Sequence, residues 1–377
     1  MRCLSLVKVR MLNNYKHHIL KENWSDNISD VVNNLVGLHS ARLITPYAAL
    51  IPRITNFNTE SLTSELFVNH NLIKLRCMRK TLHTVTIDLA PIVHQATMKI
   101  RMPICRGLYR KIGVSIKNIE FAKELLLQLL DVSDLSSKEL EYQLLHRKKI
   151  EPIITRAVIK ELWEYGTICY VNKSDYWGSE NRKYALTIRK YPKLLLNSVS
   201  EAKAQEDLVY FYIKSYGPVT ESDISWWSGL SLSTIRICIE SLGKKITSVT
   251  IKELSGKYLL TAPEIEEIYS NKYDLDLGNR LTLLAYEDPS LKGYYESRGR
   301  YIKKEFYYSL FNSIGEARSS ILKNGEVIGI WGWDKRKEII STSLFTSLEG
   351  NDQTILNELK EKTRFSLLRY KKLLKVN

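Results

Sequence analysis

The chain has 377 residues, enough for two or three domains with buried cores, and its 44% apolar and 26% charged content is that of a globular protein, not a disordered or fibrous one. Lys and Arg number 56 against 41 Asp and Glu, a formal charge of +15 that favours polyanionic partners, nucleic acid first and acidic membrane surfaces second. A diffusely basic surface from codon bias would carry the same sign. Five scattered cysteines (Cys3, Cys77, Cys105, Cys169 and Cys238), with no CxxC and no Cys/His cluster at zinc spacing, argue against a disulfide framework or structural zinc. Lys8 and Arg10 interrupt any signal-peptide core, and no apolar run is long enough to cross a bilayer. A cytoplasmic, nucleoid-associated protein is expected.

In chain order, Ile28, Val31, Val32, Leu35 and Val36 recur at the i, i+3, i+4, i+7, i+8 spacing of a core-facing helix. Gly37 interrupts that face. His39, Ser40 and Arg42 follow before Pro46 opens a second apolar helix. Such a polar knot between two buried faces is either an ordinary helix break with a core histidine, which spacing alone favours, or the seat of chemistry. Asn58 is an N-cap for a helix through Val68. The stretch 72–87 places β-branched residues around Arg79-Lys80 and reads as two short strands or a bent hairpin. Were Arg79–Val85 one strand, Arg79, Thr81 and His83 would share a face. Asp88 caps a further helix through Arg101.

A second unit follows. A helix near Phe121–Leu130 precedes Ser136-Ser137-Lys138-Glu139, whose S-x-x-E spacing is a capping box. Pro152 opens a helix through Tyr165, and the strands Thr167–Val171 and Arg182–Ile188 flank a polar loop. The same order then repeats: helix Asp207–Tyr216, a capping box at Thr220 and Asp223, helix Ser231–Leu242, and strands Ile246–Ile251 and Lys257–Thr261 around a loop at 252–256. Aligned on the boxes, Ser136 answers Thr220, Glu139 answers Asp223 and Leu140 answers Ile224. Each copy reads as a winged helix–turn–helix module, and this internal repeat is the strongest architectural signal in the chain. After residue 279, an Asn324-Gly325 turn joins strand-like stretches, which predicts a small antiparallel sheet or partial barrel followed by a helix.

Several stretches, VGLHSAR at Val36–Arg42, LRCMRKTLHTV at Leu75–Val85, YGPVTESDISWWSGL at Tyr216–Leu230, LAYEDPSLKGYY at Leu284–Tyr295 and NGEVIGIW at Asn324–Trp331, occur in this order in a known family. The chain resembles the winged-helix DNA-binding-domain family that includes the AlkZ/YcaQ-type alkylpurine DNA glycosylases, over nearly its whole length. The resemblance implies an α+β fold of three tandem winged-helix units and a small C-terminal β-barrel in a C-shape. Residues 1–115 are then a divergent first unit, 116–200 the second, 201–278 the third and 279–377 the barrel with its terminal helix.

Glycosylases of that family carry a Gln-x-Gln or Gln-x-Asp pair just after the Gly-Leu step. His39 and Ala41 stand there here, so fold and DNA binding carry over more firmly than catalysis. The expected activity is monofunctional excision of N7- or N3-alkylated purines or crosslink adducts, with His39, Ser40 and His83 as catalytic candidates. Arg42, Arg76, Arg79, Lys80, Arg147, Lys148, Lys149, Arg156 and Lys160 are the candidate DNA contacts. The expected partner is double-stranded DNA, bound by a monomer through phosphates with little regard to sequence, with no cofactor and no metal. A helix reading base edges would want several exposed Arg, Asn or Gln, and Ser231–Leu242 offers only Arg236 as a basic side chain. The alternatives are a non-catalytic winged-helix DNA binder, either regulator or lesion shield, and a scaffold whose modules bind protein.

Overall fold

The computed structural model describes residues 2–174, 176–270 and 280–373. The helix expected ahead of Gly37 spans Ile28–Asn34, with the Asn27 side chain accepting the Ser29 N–H at 2.8 Å. Next come a short strand Leu38–His39, helix Thr45–Leu50 and helix Thr59–Phe67, the last capped by Asn58. Strands Leu72–Arg76 and Leu82–Thr86 form the hairpin, and Leu38–His39 pairs with the second of them. The strand begins only at Leu82. Arg79 and Lys80 occupy the turn with φ of 51° and 61°, so Arg79 does not share a strand face with His83. The following helix, Ala90–Ile112, outruns its expected end at Arg101. Pro103 lies within it, and buried Met102 and Cys105 continue its apolar face, so packing overrides the local breaker. Leu89, not Asp88, is its N-cap.

Both capping boxes form. Ser136 Oγ accepts the Glu139 N–H at 3.2 Å, and Thr220 Oγ1 accepts the Asp223 N–H at 3.1 Å. The order helix, capped helix, helix, hairpin occurs twice. It runs through Ile116–Val132, Ser137–Lys148, Pro152–Glu164, Ile168–Asn172 and Arg182–Leu186. It runs again through Glu201–Tyr216, Glu221–Ser228, Leu232–Leu242, Ile246–Ile251 and Leu254–Thr261. The second hairpin turns at Lys252-Glu253, tighter than the 252–256 loop expected. Its outer edge is covered by Arg2–Leu4, which pairs in parallel with Val249–Ile251, while Val9 and Leu12 pack against Tyr258 and Leu260. The start of the chain therefore packs with residues 246–268 and away from the His39 sheet. A three-residue strand leaves no periodicity from which to read that.

The last four strands form one antiparallel sheet in the order Ile339–Leu344, Glu326–Asp334, Ser320–Lys323, Leu281–Leu284. Its outer strands find no further partner among the described residues, so the sheet is open and the expected barrel does not close. Four strands are too few to curl round and meet one another. Helix Asp352–Leu373 instead seats Leu356 against Leu281, Leu283, Ile321 and Trp331. The expected unit boundary at 278/279 lies outside the described residues. The whole is a mixed α+β fold.

Candidate active site

Gly37 adopts φ of 100°, and a Cβ there would stand 2.9 Å from Val85 Cγ1 and 3.3 Å from the Thr84 carbonyl oxygen. Glycine is what allows Leu38–His39 to settle against Leu82–Thr86. That register sets His39 directly opposite His83, with ring centroids 5.6 Å apart and planes at 87°. His83 Nδ1–H donates to the Thr81 carbonyl at 3.2 Å, which leaves Nε2 as an acceptor. His39 Nδ1 is buried with no hydrogen-bond partner among the described residues. Burial lowers the His39 ring to about 4, with Lys292 and then Arg79 adding repulsion and Glu316 opposing them. Burial and the neighbouring His39 lower His83 to about 3. Both rings are neutral at pH 7.

The two histidines line a cleft of about 240 Å³. Arg79, Trp227, Glu287, Lys292 and Glu316 complete it from distant parts of the chain. Two buried carboxylates hold those parts together. Asp288 binds Arg53 through both terminal guanidinium nitrogens, at 2.9 and 2.6 Å, with both side chains fully buried. Asp223 closes its capping box through Oδ2 and accepts the N–H groups of Tyr295 and Glu296 on Oδ1, at 2.8 and 2.9 Å. Next to Asp288, Glu287 pairs with Lys292 at 2.8 Å. Arg79 stacks its guanidinium over Trp226 at 3.7 Å, and Trp226 stacks in turn on Tyr295. Glu316 receives the Tyr286 hydroxyl, which holds its carboxyl below the usual carboxylate range and hence ionised. Neutral imidazole acceptors beside a carboxylate can hold a water molecule and tolerate a nearby positive charge.

The model of the DNA glycosylase AlkZ-like family matches residues 32–365. The chain belongs to that family. Among solved structures, Streptomyces sahachiroi DNA glycosylase AlkZ superposes with a TM-score of 0.79 and 20% sequence identity, covering 97% of each chain, so the two share a fold. No curated protein sequence matches the chain.

On this AlkZ-like fold, His39, His83 and Arg79 converge on one cleft. Ser40 does not join them. It is buried, and its hydroxyl bonds the Leu38 carbonyl at 3.0 Å and Thr84 Oγ1 at 2.7 Å, away from the cleft. Ala41 lines the cleft with only a methyl group. Arg42 lies at its edge, stacked 3.6 Å over the Tyr286 ring. Arg76 is held by Glu164 at 2.7 Å, a buried carboxylate that also binds Arg101 at 2.7 Å, and so ties the hairpin to Pro152–Glu164. Lys80 is exposed in the hairpin turn. Arg147, Lys148 and Lys149 are exposed where Ser137–Lys148 ends; Arg156 pairs with Glu141 at 3.1 Å, and Lys160 is half-buried. None of these last five lines the cleft.

Glu287, Lys292 and Glu316 went unassigned in the sequence. The first two lie inside the Leu284–Tyr295 motif, which marks the place without giving a role, and Glu316 lies in no motif.

Proposed function

We propose that this AlkZ-like chain is a monofunctional DNA glycosylase that hydrolyses the N-glycosidic bond of N7- or N3-alkylated purines, or of bulky crosslink adducts, in duplex DNA. The observation that carries this is the pair of neutral histidines set side by side on adjacent strands, lining a cleft rimmed by Arg79 and Lys292. The two helix–hairpin repeats fit winged helix–turn–helix units; of the divergent third expected over residues 1–115, the first strand and helix pack instead with residues 246–268. Arg42, Arg79 and Lys80 beside the cleft, with Arg147, Lys148, Lys149 and Lys160 further off, supply cations for backbone phosphates. Arg76 and Arg156, already paired, contribute less.

An N7-alkylated purine is cationic, so it departs as a neutral base with the electron pair of its bond to C1′. The sugar becomes oxocarbenium-like, and water held by His39 bonds to C1′. Water attached to such a carbon is strongly acidic. An imidazole of weak basicity therefore suffices to take its proton and release it to solvent. Release of 7-methylguanine from alkylated duplex tests this: His39→Ala should slow single-turnover release roughly 10²–10³-fold. Equal rates in the two proteins would remove His39 from the mechanism.

Ala41 favours the alternative, a non-catalytic DNA binder, because the position offers no polar group. The same assay decides, since only an enzyme leaves abasic sites.

A further inference from the structure

We propose that Glu316 supplies the second polar group of the active site, the one that Ala41 lacks, by setting its carboxylate against the sugar as C1′ becomes positive. This rests on the glycosylase assignment above. Ser40 is turned away, and His83 is fixed by the Thr81 carbonyl. Two carboxylates line the cleft among the described residues. Glu287 has both oxygens engaged, one by the Ala317 N–H at 2.6 Å and the other by Lys292 at 2.8 Å. Glu316 gathers its partners on Oε2 alone: the Tyr286 hydroxyl, Asn312 Nδ2 at 2.7 Å and, more loosely, Arg42 at 3.8 Å. Oε1 has no hydrogen-bond partner among the described residues and is not buried.

Its support is rigid. A bridge between Phe311 and Ala317 closes a tight turn, within which Asn312 Oδ1 accepts the N–H groups of Ile314 and Glu316 at 3.1 and 2.9 Å. A pinned, ionised carboxylate costs no reorganisation when positive charge appears, which is the condition for large electrostatic stabilisation. Its charge already reaches His39, where it opposes Lys292 and Arg79. Glu316 forms no bond and moves no proton in this role. The bonding pair leaves with the purine, and the water proton goes to His39.

The test measures affinity for two duplexes, one carrying a cationic pyrrolidine abasic analogue and one a neutral tetrahydrofuran analogue. Wild type should prefer the cationic duplex by roughly tenfold or more. Glu316→Gln keeps the shape of the side chain; it should bind the neutral duplex at least as well as wild type and lose the preference. A wild type with no preference, or a Glu316→Gln protein that retains it, overturns the proposal. Base release is measured alongside. A Glu316-dependent preference without release by wild type would sink the glycosylase assignment and leave the cation site standing. Release by wild type, with the preference intact in Glu316→Gln, would do the reverse.

Discussion

His39 differs from the amide of its relatives in being able to change charge, yet burial removes most of that difference. With its ring lowered to about 4, it acts at neutral pH as a fixed acceptor more than as a strong base. His39→Gln can still hold the water but cannot take its proton, so its rate of base release should fall between those of wild type and His39→Ala. The rate should also be flat between about pH 6 and 8, the span over which a ring held near 4 stays neutral. A pH–rate midpoint near the ordinary histidine value would contradict that burial. Ser40 shows where spacing misleads. Adjacent in sequence to His39, which lines the cleft, it faces the other side of the sheet and bonds Thr84.

Among the elements, the Gly37 step and the Arg53–Asp288 pair set the site. Gly37→Ala would force a side chain into a left-handed backbone with its Cβ 2.9 Å from Val85. Urea unfolding should show a loss of roughly 1–3 kcal/mol, with base release falling further because His39 is displaced. Asp288→Ala would leave the Arg53 charge buried with no carboxylate, held only by the His17 and Ala49 carbonyls and the Ser290 hydroxyl. A loss of about 3–5 kcal/mol is expected by the same method. The capping boxes were legible because their contacts lie three residues apart. The second task of Asp223, holding Tyr295 and Glu296, was not, because that contact spans seventy-two residues or more. The barrel failed for a related reason: strand signals do not say whether the edges of a sheet meet.

Across the whole molecule, charge and buried histidines set the responses to salt and acid. If six to ten phosphates are contacted, duplex affinity should fall roughly 10³–10⁵-fold between about 50 and 200 mM salt. Salt-insensitive binding would exclude backbone tracking. Absence of any binding at low salt would favour a protein-binding scaffold. His17, His39, His83 and His94 all have their ring pKa lowered chiefly by burial. The unfolded chain thus binds protons that the folded chain refuses. This contribution should be complete only well above pH 6.5 and decline as pH falls toward the folded values, by roughly 1–2 kcal/mol at pH 5 for each of His39, His83 and His94. Thermal unfolding at pH 7 and pH 5 would show it.

The sequence by itself determined the local units: the helix before Gly37, the capped helices, the Asn-Gly turn and the twofold helix–hairpin order. Periodicity and capping act within a few residues, and a linear pattern records them. Only tertiary structure decided that His39 and His83 face each other, that Arg76 serves Glu164, and that Glu287, Lys292 and Glu316 close the cleft. Those contacts join residues far apart in the chain, where charge and burial set the geometry and no spacing rule reaches.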